Sequence, residues 1–188
     1  MRKAKGESAD IQHLRSALVR EGVTAYPLAM QAIAEFRHEV FEILKRVAKR
    51  RATAVSQIVG SKEFEPDGDE VDDFLDSPDT TLAVFTNTPC SFRIEVFWQD
   101  VDRPPAPVRI AAGIVCGKRA TFEKVDKALQ DKFGNRVTTG VEAYECYLEK
   151  AIPQEQIDKL ESELGKICDA WIRMLRSVNV RKLIRSEQ

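Results

Sequence analysis

Two long amphipathic helical patterns, one near each end of the chain, bracket a middle stretch that reads as short strands, and nothing else in the sequence constrains the fold as much. The first pattern runs from about Pro27 to Arg51 and sets Ile33, Phe36, Val40, Ile43 and Val47 at steps of three and four. The second runs from Pro153 to about Arg185 through Ile157, Leu160, Leu164, Ile167, Trp171, Met174 and Val178. Stripes of this width bury themselves against another element.

Local signals place the remaining elements. Pro27 suits a first helical turn, where its missing amide does no harm. The basic run Lys45, Arg46, Lys49, Arg50 and Arg51 suits the negative end of a helix dipole. A short helix over residues 11–20 stops at Glu21-Gly22, and residues 1–10 read as a disordered tail. Alternation predicts strands over residues 92–99 and 142–150, residues 81–86 are a further candidate, and the proline-rich stretch 102–107 turns the chain into a strand over 108–116. Between the last two, Thr121 can cap a helix carrying Phe122, Val125, Leu129 and Phe133, with Gly134 stopping it in the left-handed conformation. The expected fold is α+β in the order αβββαβα, a mainly antiparallel or mixed sheet of about four strands packed by the long terminal helices.

At 188 residues the chain is expected to form one domain over residues 11–188, interrupted by an acidic loop or linker at about residues 60–79. The formal charge of −1 conceals a polarised layout, since residues 1–51 are basic and residues 52–100 strongly acidic. Cys90, Cys116, Cys146 and Cys168 are widely spaced, with no CxxC. Three of them fall in apolar patterns, where free cysteine behaves as a small hydrophobe, so a reducing cytoplasm is the natural compartment. No apolar run approaches the roughly eighteen residues of a membrane span, and no membrane partner is expected.

No complete catalytic signature stands out. Glu35-x-x-His38 has the one-turn spacing of a di-iron ligand pair but occurs once, so it reads as solvated helix surface, and no metal site or resident cofactor is expected. Asp67-x-Asp69 lacks the later oxygen ligands of a calcium loop. Lys45, Arg46, Lys49, Arg50 and Arg51 could neutralise phosphates, extended by Arg173, Arg176, Arg181, Lys182 and Arg185. No aromatics interleave with these charges, as a single-strand platform requires. The glutamate-rich first half of the last helix, with Ile157, Leu160 and Leu164, is the candidate surface for a protein partner or homodimer.

Two resemblances follow from these residues. The order from the first long helix to Lys150 resembles the core of PD-(D/E)xK nucleases, with Pro78-Asp79 in place of the first motif and Glu95-Val96-Phe97 in place of the second. Phe97 stands where that family has lysine. The resemblance implies a magnesium-dependent nuclease using Asp79 and Glu95, with Glu39 or Glu42 as a further ligand. Residues 91–178, through Phe92-Arg93-Ile94-Glu95-Val96, Lys132-Phe133-Gly134 and the stretch from Tyr144 to Leu148, resemble an uncharacterised bacterial domain appended to restriction-type nucleases. That implies association with nucleic-acid-processing or defence machinery rather than a reaction. The leading expectation is a non-enzymatic protein-interaction module, with a divergent nuclease and a non-catalytic nucleic-acid binder as alternatives.

Overall fold

The computed structural model of the chain describes residues 9–61, 65–67, 81–85, 89–98 and 108–185. The chain divides into two units, Met1–Glu39 and Val40–Gln188. In order, the elements are α1 (Ala9–Val59), β1 (Glu65–Asp67), β2 (Thr81–Phe85), β3 (Cys90–Trp98), β4 (Val108–Cys116), α2 (Arg119–Phe133), β5 (Thr138–Gly140), β6 (Glu145–Ile152), α3 (Leu160–Ser177) and α4 (Val180–Arg185). The class is α+β, as the periodicities predict.

The first helix differs from its expected bounds at both ends. Gly22 and Pro27, expected to separate two helices, lie inside α1. Pro27 removes the one backbone bond its amide would give to the Val23 carbonyl. The strong helix formers around it, among them Ala25, Ala29, Ala32 and Ala34, outweigh that loss. At the other end the helix runs about two turns past Arg51. It ends at Gly60, whose φ of 94° lets its amide donate to the Ser56 carbonyl at 3.0 Å. The last turn of α1 therefore holds no basic residue, and the basic run stops about two turns short of the dipole's negative end.

In the unit Met1–Glu39, every described side chain from Glu21 onward is exposed except the half-buried Arg37. Residues 1–8 of the expected tail lie outside the described residues, while Ala9 and Asp10 open the helix.

The unit Val40–Gln188 contains a six-stranded antiparallel sheet of order β1-β2-β3-β4-β6-β5. Four of these are the expected strands. The two extra ones, β1 and β5, are three-residue edges too short to show alternation. Most of the acidic segment lies outside the described residues, but Glu65–Asp67, expected as loop, pairs with β2. Pro66 is tolerated there because an edge strand can spare an amide.

One face of the sheet forms the core floor through Phe92, Ile94 and Val96 of β3, with Ile110, Ala112 and Ile114 of β4. Helices close it. From α1 come Val40, Leu44, Val47, Val55 and Ile58, from α2 Phe122, Val125 and Leu129, and from α3 Leu164, Cys168, Trp171 and Leu175. The apolar second half of the last helical pattern thus packs on the sheet, as its width predicts.

Four local expectations are corrected. The N-cap of α2 is Lys118, which makes no side-chain cap bond, while Thr121 lies buried inside the helix. Gly134 does end α2 at positive φ (52°), but its ψ of −135° is outside the left-handed helical region, a combination open mainly to glycine. Pro153 precedes a 3-10 turn over Gln154–Lys159 instead of opening the helix directly. The final pattern is also broken in two at Asn179, which takes φ 52° and donates its amide to the Arg176 carbonyl at 3.0 Å. Asparagine is among the few residues that adopt this conformation readily at a helix end.

Candidate functional site

The second face of the sheet carries charged side chains in cross-strand register. Arg93 and Glu95 of β3 stand opposite Gly113 and Ala111 of β4, which stand opposite Tyr147 and Glu149 of β6. The small β4 residues leave width for their long neighbours, and a Cβ on Gly113 would lie 3.2 Å from that of Tyr147. Arg93 Nη1 is 3.9 Å from both Glu95 Oε1 and Glu145 Oε2, and Arg109 Nη1 is 3.0 Å from Glu149 Oε2. Burial pushes the Glu95 carboxyl above its ordinary range; Arg93 opposes the shift and Glu145 adds to it. This face is a grid of paired charges, with Arg93 and Arg109 each keeping a buried Nε that has no partner among the described residues.

Of the nuclease candidates, Glu95 stands on that grid. Asp79 lies outside the described residues. Glu42 accepts from Lys45 Nζ at 2.8 Å, and Glu39 is exposed on α1 in the other unit. Glu35 accepts from Gln31 Nε2 at 2.8 Å. Among the described residues no three His, Cys, Asp or Glu side chains are placed to hold a metal ion.

The thiols are core groups. Cys90 and Cys116 face each other across β3 and β4 with sulfurs 3.2 Å apart, and Cys146 points its thiol at Asp126 Oδ1 at 3.7 Å. The hydrogen bond with Cys90, together with burial, raises the Cys116 thiol; burial and Asp126 raise Cys146; burial pushes Cys168 up to about 12. Thiols held protonated in this way are poor nucleophiles.

The basic run of α1 is largely spent within its own unit. Arg46 Nε and Nη2 donate to Glu161 Oε2 at 3.1 and 2.8 Å, and Arg50 Nη1 donates to Glu161 Oε1 at 2.7 Å. Arg46 and Arg50 together hold the Glu161 carboxyl below its ordinary range. Arg51 is bound to Asp169, and Lys45 lies 4.3 Å from the centre of the Phe41 ring. Lys49 is exposed. The predicted partner residues also face inward: Leu160 and Leu164 are 2% and 0% exposed, and Ile157 packs partly against the core.

Exposed apolar surface lies elsewhere, on the helix of the unit Met1–Glu39. Val23, Tyr26 and Leu28 are 69%, 62% and 66% exposed. In sequence, Val23, Tyr26, Met30 and Ile33 follow one another at steps of three, four and three, the spacing of a coiled-coil seam. The expected break at Gly22 and Pro27 hid this ridge, although the spacing itself runs past both residues unbroken. No described helix is long and apolar enough to cross a membrane. Compared with protein-family models, with curated proteins and with solved structures, the chain matches none.

Proposed function

We propose that the chain is a non-catalytic protein-interaction module whose N-terminal helix pairs with the same helix of a second copy. The observation that carries this is the pair Val23 and Tyr26, three residues apart on one helix and each more than three-fifths exposed. Large apolar side chains left in water on a regular three-four ridge gain most by meeting an equivalent ridge. Charge layout favours a second copy in antiparallel orientation. Residues 15–21 carry two arginines and one glutamate and residues 35–39 two glutamates and one arginine, so reversal sets ends of opposite net charge side by side. The resemblance of residues 91–178 to a bacterial domain appended to restriction-type nucleases supports a cytoplasmic setting beside nucleic-acid-processing or defence machinery.

Sedimentation velocity over a wide concentration range tests the pairing. The unaltered chain should sediment as a dimer with a concentration-dependent thermal midpoint, and the double substitution Val23→Glu, Tyr26→Glu should sediment as a folded monomer whose midpoint no longer depends on concentration. A monomeric unaltered chain, or a dimer that survives the double substitution, would overturn the reading.

A further inference from the structure

Among the described residues, the acidic partners that neutralise the basic run of α1 have no counterpart along the end of α3 and α4. Arg173, Arg176, Arg181, Lys182 and Arg185 follow one another with no acidic residue between Ala170 and Arg185. All five are exposed. Arg176 Nη2 donates to the neutral Gln57 side chain at 2.6 Å, and Arg173, Arg181, Lys182 and Arg185 form no ion pair among the described residues. The break at Asn179 brings the two helices of the strip around a cleft of about 380 Å³ lined by Gln57, Arg176, Asn179 and Arg181. Lys132 of α2 adds a further cation there, donating from Nζ to the Ser177 carbonyl at 2.9 Å. Of the α2 acids, Glu123 is held by Arg119, Asp126 accepts from Thr139 and Gln130, and the exposed Asp131 beside Lys132 offsets that one cation, leaving the five of the strip.

We propose that this strip binds the phosphate backbone of double-helical nucleic acid. At a helical rise of about 1.5 Å per residue, the stretch reaches up to roughly 20 Å, the span of several phosphates and not of one anion. Its donors are mostly guanidinium groups, whose fork matches phosphate oxygens. No aromatic residue lies between Arg173 and Arg185, so bases have nothing to stack on and binding runs through the backbone without reading sequence. A lipid surface fits less well. The apolar side chains of α4 are committed to the core, with Val180 and Ile184 buried and Leu183 packed against it, which leaves nothing to insert between headgroups. The strip lies in the unit Val40–Gln188, and its occupancy does not depend on helix pairing by the other unit.

Fluorescence anisotropy with a labelled duplex of about 20 base pairs, titrated with salt from about 50 mM upward, tests the proposal. The triple substitution Arg181→Gln, Lys182→Gln, Arg185→Gln should weaken binding by at least roughly tenfold and lower the salt slope by about one for each phosphate no longer neutralised. The same neutralisation at Lys118, Lys159 and Lys166, exposed lysines outside the strip, should leave affinity and slope nearly unchanged. Circular dichroism should show both variants folded, since every altered side chain is exposed. Absence of duplex binding at low salt, equal weakening in the two variants, or capture by phosphatidylserine vesicles in preference to duplex would each overturn it.

Discussion

Arg51 and Asp169 meet through two parallel hydrogen bonds, Nε to Oδ1 at 2.9 Å and Nη2 to Oδ2 at 2.8 Å. The guanidinium also donates to the Gly165 carbonyl at 2.9 Å and the Val47 carbonyl at 3.3 Å, so this arginine ties the C-terminal part of α1 to α3 while only 15% exposed. A lysine keeps the charge but cannot form the fork. Arg51→Lys should therefore cost about 2 kcal/mol in urea unfolding, well above the roughly 0–1 kcal/mol of a surface pair. A cost no larger than that of a surface pair would mean that the fork contributes only as an exposed pair does.

Gly165 is the reason the fork fits. A Cβ at this position would lie 2.8 Å from Arg51 Nη2, closer than ordinary packing allows. Gly165→Ala alone should destabilise by about 1–2 kcal/mol even though alanine is the better helix former. In an Arg51→Ala background the clash is gone, and the same change should become neutral or stabilising by up to about 1 kcal/mol. A double-mutant cycle reads the coupling directly, and additivity of the two changes would refute the steric account.

What the sequence made legible follows from the range of the forces involved. Strand β4 has the bounds expected of it, and β2, β3 and β6 lie within a few residues of theirs; β3 alternates buried and half-buried positions, while β4 is a nearly continuous apolar run set off by the prolines before it. Helix ends were harder to read. Gly22, Pro27 and Thr121 carry local stop or start signals that a long run of helix formers and a buried interface override. The role of the basic run was out of reach for another reason. Nothing near Arg46, Arg50 or Arg51 in sequence announces Glu161 and Asp169, more than a hundred residues away, as their partners. What remained uncompensated after folding, at Val23 and Tyr26 and at Arg173 to Arg185, became visible only once those pairings were known.

Thr121 offers a test of that override. Its hydroxyl is fully buried in α2 and has no hydrogen-bond partner among the described residues. Valine has nearly the same shape without the polar group, and relieving an unsatisfied buried hydroxyl stabilises by about 1 kcal/mol. Thr121→Val should raise the denaturation midpoint accordingly. A lowered midpoint would show that the hydroxyl is hydrogen-bonded in solution.

Glu95 ties stability to pH, and the sign can be worked out. Burial raises its folded-state pKa, so the native protein prefers the protonated carboxyl relative to the unfolded chain. Its contribution is fully present below the ordinary carboxylate range and is lost as pH rises through the raised value. Glutamine imitates the protonated form without titrating. Glu95→Gln should therefore have the higher thermal midpoint at about pH 7, and the gap should close as the pH is lowered below the ordinary carboxylate range of about 4.3. The opposing influence is Arg93, which loses one of its two carboxylate neighbours but keeps Glu145 at 3.9 Å. A variant less stable than the unaltered chain at neutral pH would show that the attraction of Arg93 outweighs desolvation. The same measurement bears on metal chemistry, because a ligand carboxylate must be deprotonated, and a site that disfavours the charge works against that role.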